Sequence, residues 1–110
     1  MLVDFWATWC GPCVASMPEV KRVYEKYRNQ GLEIVGISLD KDRATLSQFL
    51  NDYEIPWPQY FDGKGWDCAI ARKFGVQSIP TVLLVDKKGV LRRKATQGLL
   101  EQQVAALLDE

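Results

Sequence analysis

The sequence contains no histidine, and this absence excludes several kinds of site. Histidine acid–base catalysis is impossible, and three cysteines are too few for a zinc site, which normally takes four ligands. The cysteines also cannot form a disulfide scaffold, because Cys10 and Cys13 share one Cys-x-x-Cys and Cys68 is left over. We therefore expect neither a metal nor any other cofactor.

Long apolar runs and net charge are also missing. No run of about 18 apolar residues occurs, so the sequence predicts no membrane insertion by this chain itself. Fourteen basic residues balance fourteen acidic ones, so no net charge favours nucleic acid as a partner. The 47% apolar and 25% charged fractions are typical of a globular protein, and 110 residues fit one domain spanning 1–110.

The spacing of apolar residues predicts strands that alternate with helices. Apolar runs indicate strands at four places: residues 2–6, 32–39, 81–85 and 90–96. Helical spacing begins at four further places: after Cys13, after Asp42, after Asp67 and near residue 100. Asp42 is the predicted N-cap of the second helix, and Asp67 is the predicted cap of a short third one. Two prolines restrict the segment around residue 59 to a short edge strand. The pattern predicts an α/β fold, with helices on both faces of a mixed sheet that closes with an antiparallel hairpin.

The first strand runs directly into the paired cysteines, and a helix follows them. The free N–H groups and dipole of a helix N-terminus favour negative charge, so a cysteine there loses its proton readily. Thiolate is the attacking species in disulfide exchange. We therefore interpret Cys10 as the nucleophile and Cys13 as the resolving thiol, with Gly11 and Pro12 forming the turn between them.

Asp4 is the only ionisable residue of that strand. Burial without a partner would raise its pKa and favour the neutral carboxyl. A carboxyl that titrates near neutral pH beside Cys13 could accept the proton of that thiol, which makes Asp4 a candidate catalytic residue. A solvent-facing strand residue is the alternative.

The segment Val3-Asp4-Phe5-Trp6-Ala7-Thr8-Trp9-Cys10-Gly11-Pro12-Cys13 resembles the active-site segment of thioredoxin. Nearly the whole chain follows the thioredoxin-like pattern, and residues 42–65 resemble the insertion of the TlpA/ResA-like branch. The resemblance implies a thioredoxin-like fold that lacks the usual first strand. Since the sequence starts inside its active-site strand, we expect a piece of a longer protein, with a complete minimal domain as the alternative.

The resemblance also implies roles for individual residues. Asp4 matches the buried aspartate of thioredoxin, and Pro80 matches a cis-proline that faces the cysteines. Trp9, Ile79 and Gly98 would then line a shallow apolar groove, with the Ile79 backbone pairing with an extended substrate.

The sequence departs from the family pattern at two positions. Ser16 stands where TlpA/ResA-like proteins often have a glutamate, and Gly36 stands where thioredoxin has a lysine near its buried aspartate. A proton relay at this site would therefore rest on Asp4.

The other tryptophans and the third cysteine are predicted mainly to pack in the protein interior. Trp6 suits either the core or the groove, and Trp57 and Trp66 are predicted to pack beneath the insertion. Cys68 is predicted to be a buried, inert thiol, although its place near a helix start leaves a reactive thiolate as the alternative.

The resemblance implies a thiol–disulfide oxidoreductase that reduces protein disulfides and is regenerated by an electron-donating redox partner protein. A thiol peroxidase is one alternative, but Thr8 lies two residues before Cys10 instead of the three that this chemistry favours. A non-enzymatic module that binds copper or a partner protein is another, and it would lack a histidine ligand. The TlpA/ResA-like features imply an extracytoplasmic location, periplasmic or in the cell envelope; thioredoxin similarity leaves the cytoplasm open.

Overall fold

A computed structural model describes residues 1–110, which form five strands and four α-helices. The strands are β1 (Leu2–Trp6), β2 (Ile34–Ser38), β3 (Gln59–Phe61), β4 (Thr81–Val85) and β5 (Leu91–Lys94). The helices are α1 (Gly11–Tyr27), α2 (Arg43–Asp52), α3 (Ala69–Lys73) and α4 (Leu100–Leu108). Two 3₁₀ turns cover Arg28–Gln30 and Gly65–Asp67. None of the helices combines the length and the apolar character needed to cross a membrane.

The strands form one mixed sheet in the order β3-β2-β1-β4-β5. Strands β1, β2 and β3 are parallel, while β4 runs antiparallel to β1 and forms a hairpin with β5. The predicted mixed sheet is confirmed. Strand β1 lies at its centre, so the chain enters the two cysteines from the most protected strand of the sheet.

Helices cover both faces of the sheet, as predicted. Phe5 and Trp6 are consecutive in β1 and therefore point to opposite faces. The Phe5 ring lies 6.3 Å from Phe74 at the end of α3, whereas the Trp6 ring lies 5.1 Å from Phe49 of α2. Helix α3 thus covers one face and α2 the other.

Helices α1 and α4 join α2 on the Trp6 face. Lys21 of α1 donates to the Tyr53 carbonyl oxygen, at the end of α2, over 2.8 Å. Glu101 of α4 accepts from Lys26 at 2.6 Å and Arg22 at 2.7 Å, and these hydrogen bonds lower its pKa to about 2. Because side chains alternate along a strand, residue 4 of β1 faces the same three helices as residue 6.

The segment predicted as an insertion contributes α2 and β3. Asp42 caps α2 as predicted, since its carboxylate accepts from the Ala44 N–H at 3.1 Å. The short strand β3 follows Pro58 and lies at the sheet edge, also as predicted. Within residues 1–110, the first strand is the one that leads into the cysteines.

The predicted cap of the short helix is wrong. Asp67 ends the second 3₁₀ turn, and Cys68 takes the N-cap position of α3. The carboxylate at this helix start comes instead from Asp62, which accepts from the Ala69 N–H at 3.0 Å. The 3₁₀ turn folds the chain back far enough for a residue seven positions earlier to reach the helix.

Candidate active site

Cys10 and Cys13 form a disulfide where β1 gives way to α1, with their Cα atoms 5.2 Å apart. Cys10 is 7% exposed and Cys13 is 1% exposed, so Cys10 is the nearer of the two to the surface. Cys10 is the N-cap of α1, and its Sγ accepts from the Cys13 N–H at 3.2 Å. The helix therefore already directs a donor at the sulfur that would carry negative charge in the reduced protein.

The loop before β4 faces this disulfide. The Ile79–Pro80 peptide bond is cis, and the Ile79 carbonyl oxygen lies 3.7 Å from Cys10 Sγ. Pro12, Pro80 and Gly98 are among the residues that line an adjacent cavity of about 540 Å³. Of the residues predicted for the groove, Ile79 and Gly98 thus lie on this side of the disulfide, whereas Trp6 is 1% exposed and belongs to the core.

Two tryptophans form an exposed pair beside the disulfide. Trp9 is 54% exposed, and its ring lies 6.2 Å from that of Trp66, which is 46% exposed. The prediction that Trp66 packs beneath the insertion is wrong, because the 3₁₀ turn Gly65–Asp67 presents this side chain on the surface. Trp57 is buried, as predicted. The pair borders a cavity of about 520 Å³ that shares no lining residue with the first.

A buried carboxylate that sequence reasoning missed anchors the loop before Cys10. Asp40 is 2% exposed and accepts from the Thr8 N–H at 3.1 Å, the Thr8 hydroxyl at 2.6 Å and the Ser38 hydroxyl at 2.6 Å. These bonds tie the end of β2 to the residue two positions before the first cysteine. No motif in the sequence links Asp40 to Thr8 and Ser38. Their hydrogen bonds become visible only in the folded structure.

Replacing Asp40 with alanine is expected to lower the free energy of unfolding by about 2–4 kcal/mol, because donors on the buried Ser38 and the half-buried Thr8 lose their acceptor. Urea denaturation of the oxidised protein measures this. The matched change Asp109→Ala, at an exposed position, is expected to alter it by less than about 0.5 kcal/mol. Equal effects of the two changes would show that Asp40 does not anchor the loop.

Asp4 is buried under the helices, with 4% exposure and no hydrogen-bond partner. Burial raises its pKa from 3.8 to about 7, in the direction that the sequence predicted. Gly36 lies beside Asp4 on β2. The Ser16 hydroxyl donates to the Cys13 carbonyl oxygen at 3.0 Å and not to Asp4. The catalytic role of Asp4 stays a prediction.

A comparison with protein families matches residues 1–91 to a family described as thioredoxin-like. The chain belongs to the thioredoxin-like family. The thioredoxin-like chain is 32% identical, over all of its 110 residues, to the thiol-disulfide oxidoreductase ResA of Bacillus thuringiensis subsp. konkukian. It spans 60% of the length of that curated relative.

Solved structures match the thioredoxin-like fold closely. A Chlorobium tepidum protein described as a thiol:disulfide interchange protein DsbE is 33% identical, with a TM-score of 0.86 over 97% of this chain and 78% of that one. A thiol-disulfide oxidoreductase from Bacteroides fragilis is 30% identical, with a TM-score of 0.87 over 96% of this chain and 79% of that one.

The third cysteine of the thioredoxin-like chain lies away from solvent. Cys68 is a free thiol with no exposed surface, in the core between the second 3₁₀ turn and α3. Its burial is the predicted one, and its lack of reactivity stays a prediction.

Proposed function

We propose that the chain is a thiol–disulfide oxidoreductase that reduces protein disulfides through Cys10 and Cys13. The observation that carries the proposal is the position of Cys10, which caps α1, is the more exposed of the two cysteines and faces the Ile79–Pro80 bond. The relatives named as thiol-disulfide oxidoreductases support it. Reduction is favoured over oxidation by the thioredoxin-type dipeptide Gly11-Pro12.

The proposed cycle moves two electrons from the dithiol to the substrate. The Cys10 thiolate attacks a substrate disulfide, forming a mixed disulfide and releasing one substrate sulfur as a thiolate that takes up a proton. Cys13 then loses its proton to the Asp4 carboxylate and attacks Cys10 Sγ. This step breaks the bond between Cys10 and the substrate, forms the Cys10–Cys13 disulfide and releases the second substrate sulfur as a thiolate, which takes up a proton as Asp4 gives up its own. A redox partner protein must supply two electrons and two protons to restore the dithiol.

The central test uses insulin as a disulfide substrate and dithiothreitol as the reductant. The purified chain is expected to accelerate the precipitation of insulin chains, which light scattering measures. With the reductant removed, the reduced Cys13→Ser variant is expected to stop at the mixed disulfide, because neither Cys13 nor dithiothreitol then supplies the second thiol that completes the exchange. Mass spectrometry should then find one insulin chain linked to Cys10. Consumption of hydrogen peroxide without insulin reduction would contradict the proposal and favour a peroxidase.

The Trp9–Trp66 pair is proposed to contact the protein substrate. Replacing Trp66 with alanine is expected to raise KM for a protein disulfide about fivefold with little change in kcat, because binding area is lost equally before and during reaction. Val90→Ala is the matched control, since Val90 is 54% exposed in the turn beside Met1, at the other end of the sheet. A KM unchanged by Trp66→Ala would remove the tryptophan pair from the docking surface.

We also propose an extracytoplasmic location, in the periplasm or cell envelope. The names ResA and DsbE among the relatives support it, as does the insertion formed by α2 and β3. Fractionation of cells that express the complete natural protein tests this, and recovery with cytoplasmic markers would contradict it.

A further inference from the structure

Three residues form a row across the parallel strands beneath the active site. Asp4 of β1 pairs with Gly36 of β2, which in turn pairs with Gln59 of β3. Residues in register on neighbouring strands point to the same face of a sheet. Gly36 has no side chain, and a Cβ atom built there would overlap the side-chain amide of Gln59. The Gln59 amide thus lies over β2, about one strand spacing of 4.8 Å from β1.

The Gln59 amide has one satisfied and one unsatisfied end. Its Oε1 accepts from Trp6 Nε1 at 2.9 Å, whereas its Nε2 is buried and has no hydrogen-bond partner. Because an indole N–H can only donate, it fixes the oxygen of the amide toward Trp6 and the NH₂ group elsewhere. Buried donors without a partner are rare in folded proteins. The Nε2–H group of Gln59 is therefore a buried donor without an acceptor in the protein.

Asp4 is the acidic residue of the row; it is 4% exposed, and no hydrogen bond from the protein acts on its pKa. No direct Asp4–Gln59 bond forms, and a polar pair separated by more than about 3.5 Å is commonly joined by a water molecule. A site lined by an amide N–H and a carboxyl offers such a water the polar partners that it needs.

We propose that Gln59 is a positioning residue for Asp4, and that its Nε2–H holds one water molecule that donates to the Asp4 carboxylate. This inference rests on the proposed role of Asp4 in accepting the Cys13 proton. Gln59 then supplies, without charge, a stabilising contact to the carboxylate.

No charged side chain near Asp4 competes with the proposed water for its carboxylate. Burial alone raises the pKa of Asp4, and no charged side chain acts on it. The residues that share its row on the other strands are Gly36, Gln59 and Val82. On α1, the thiols of Cys10 and Cys13 do not titrate in the oxidised protein, and Glu19 is exposed. Glu101 of α4 forms ion pairs with Arg22 and Lys26.

Nuclear magnetic resonance of the oxidised protein tests the proposal without measuring activity. The side-chain amide signals of Gln59 are expected to shift with pH at the same midpoint as the carboxyl carbon of Asp4. Replacing Gln59 with methionine removes the donor at similar volume and is expected to raise the Asp4 pKa by about half a unit to one unit. Gly36→Ala displaces the intact amide and is expected to raise it as well.

Two further variants separate positioning from packing. Gln59→Glu keeps an acceptor for Trp6 but replaces the donor with a carboxyl group, so it is expected to raise the Asp4 pKa further than methionine does. Gln48→Met changes an exposed glutamine of α2 and is expected to leave that pKa unchanged.

A purely structural Gln59 would lower the melting temperature on substitution while the Asp4 midpoint stayed fixed, and that result overturns the proposal. An unsubstituted protein whose Gln59 signals stay flat through the Asp4 titration overturns it even if the Gln59 variants do not fold. Failure of insulin reduction would contradict the reductase function and leave these titrations unaffected.

Discussion

Replacing Cys10 with serine is expected to lower the rate of insulin reduction by a factor on the order of a thousand or more, to that of the uncatalysed exchange. A hydroxyl at the start of α1 stays protonated at neutral pH, and its oxygen cannot form the mixed disulfide. The helix N-terminus and the Cys13 N–H would still point at position 10. Without a sulfur there, they have no thiolate to stabilise. Light scattering with dithiothreitol as reductant measures the loss.

Cys68→Ser provides the matched control for this result. Cys68 is buried and lies outside the disulfide, so the change is expected to reduce stability while leaving the rate per folded molecule intact. Thermal unfolding separates the two effects. Full activity of the Cys10→Ser variant would require the electrons to pass through another group, and the proposed cycle would be wrong.

Local sequence patterns were sufficient to predict most of the scaffold. The hairpin of β4 and β5, the cap at Asp42 and the strand that leads into Cys10 each depend on residues that lie close together in the sequence. These features need no knowledge of which distant segments meet. Local information left both a buried and a solvent-facing Asp4 open, and the central place of β1 in the sheet decides for burial.

Features that depend on distant contacts were missed. Trp66 is exposed because the 3₁₀ turn places it against Trp9, 57 positions earlier in the numbering, and nothing in its neighbours indicates that pairing. Asp40 and Gln59 look like ordinary polar residues beside strands. Their importance comes from what the fold places opposite them, namely the loop before Cys10 and the Asp4–Gly36 row.

Replacing Asp4 with asparagine is expected to make the protein more stable than the original chain, by an amount that grows with pH. Folding raises the pKa of Asp4 from 3.8 to about 7, so between these values the native state holds a proton that the unfolded chain has lost. The contribution of Asp4 to stability is therefore present below about pH 4 and is lost as the pH rises to about 7. At about 1.4 kcal/mol per pKa unit, the loss is about 4 kcal/mol.

Urea unfolding of the oxidised protein from pH 4 to pH 8 measures this gain. The difference in unfolding free energy between Asp4→Asn and the original chain is expected to rise through that range and then level off. Asp109→Asn makes the same chemical change at an exposed position and is the matched control. A flat difference for Asp4→Asn would show that the carboxyl ionises normally in the folded protein.

The same substitution is expected to slow the resolution of the mixed disulfide at pH 7 by roughly a hundredfold, because an amide cannot accept the Cys13 proton. In the original chain the rate should rise with pH around 7, as Asp4 becomes a carboxylate. In the variant it should rise only where Cys13 ionises unaided. Stopped-flow release of a thiol from a preformed Cys10 mixed disulfide measures this step alone. The Asp4→Asn protein could instead be more stable and still resolve the mixed disulfide at the original rate. That result would show that the buried carboxyl lowers stability without contributing to catalysis.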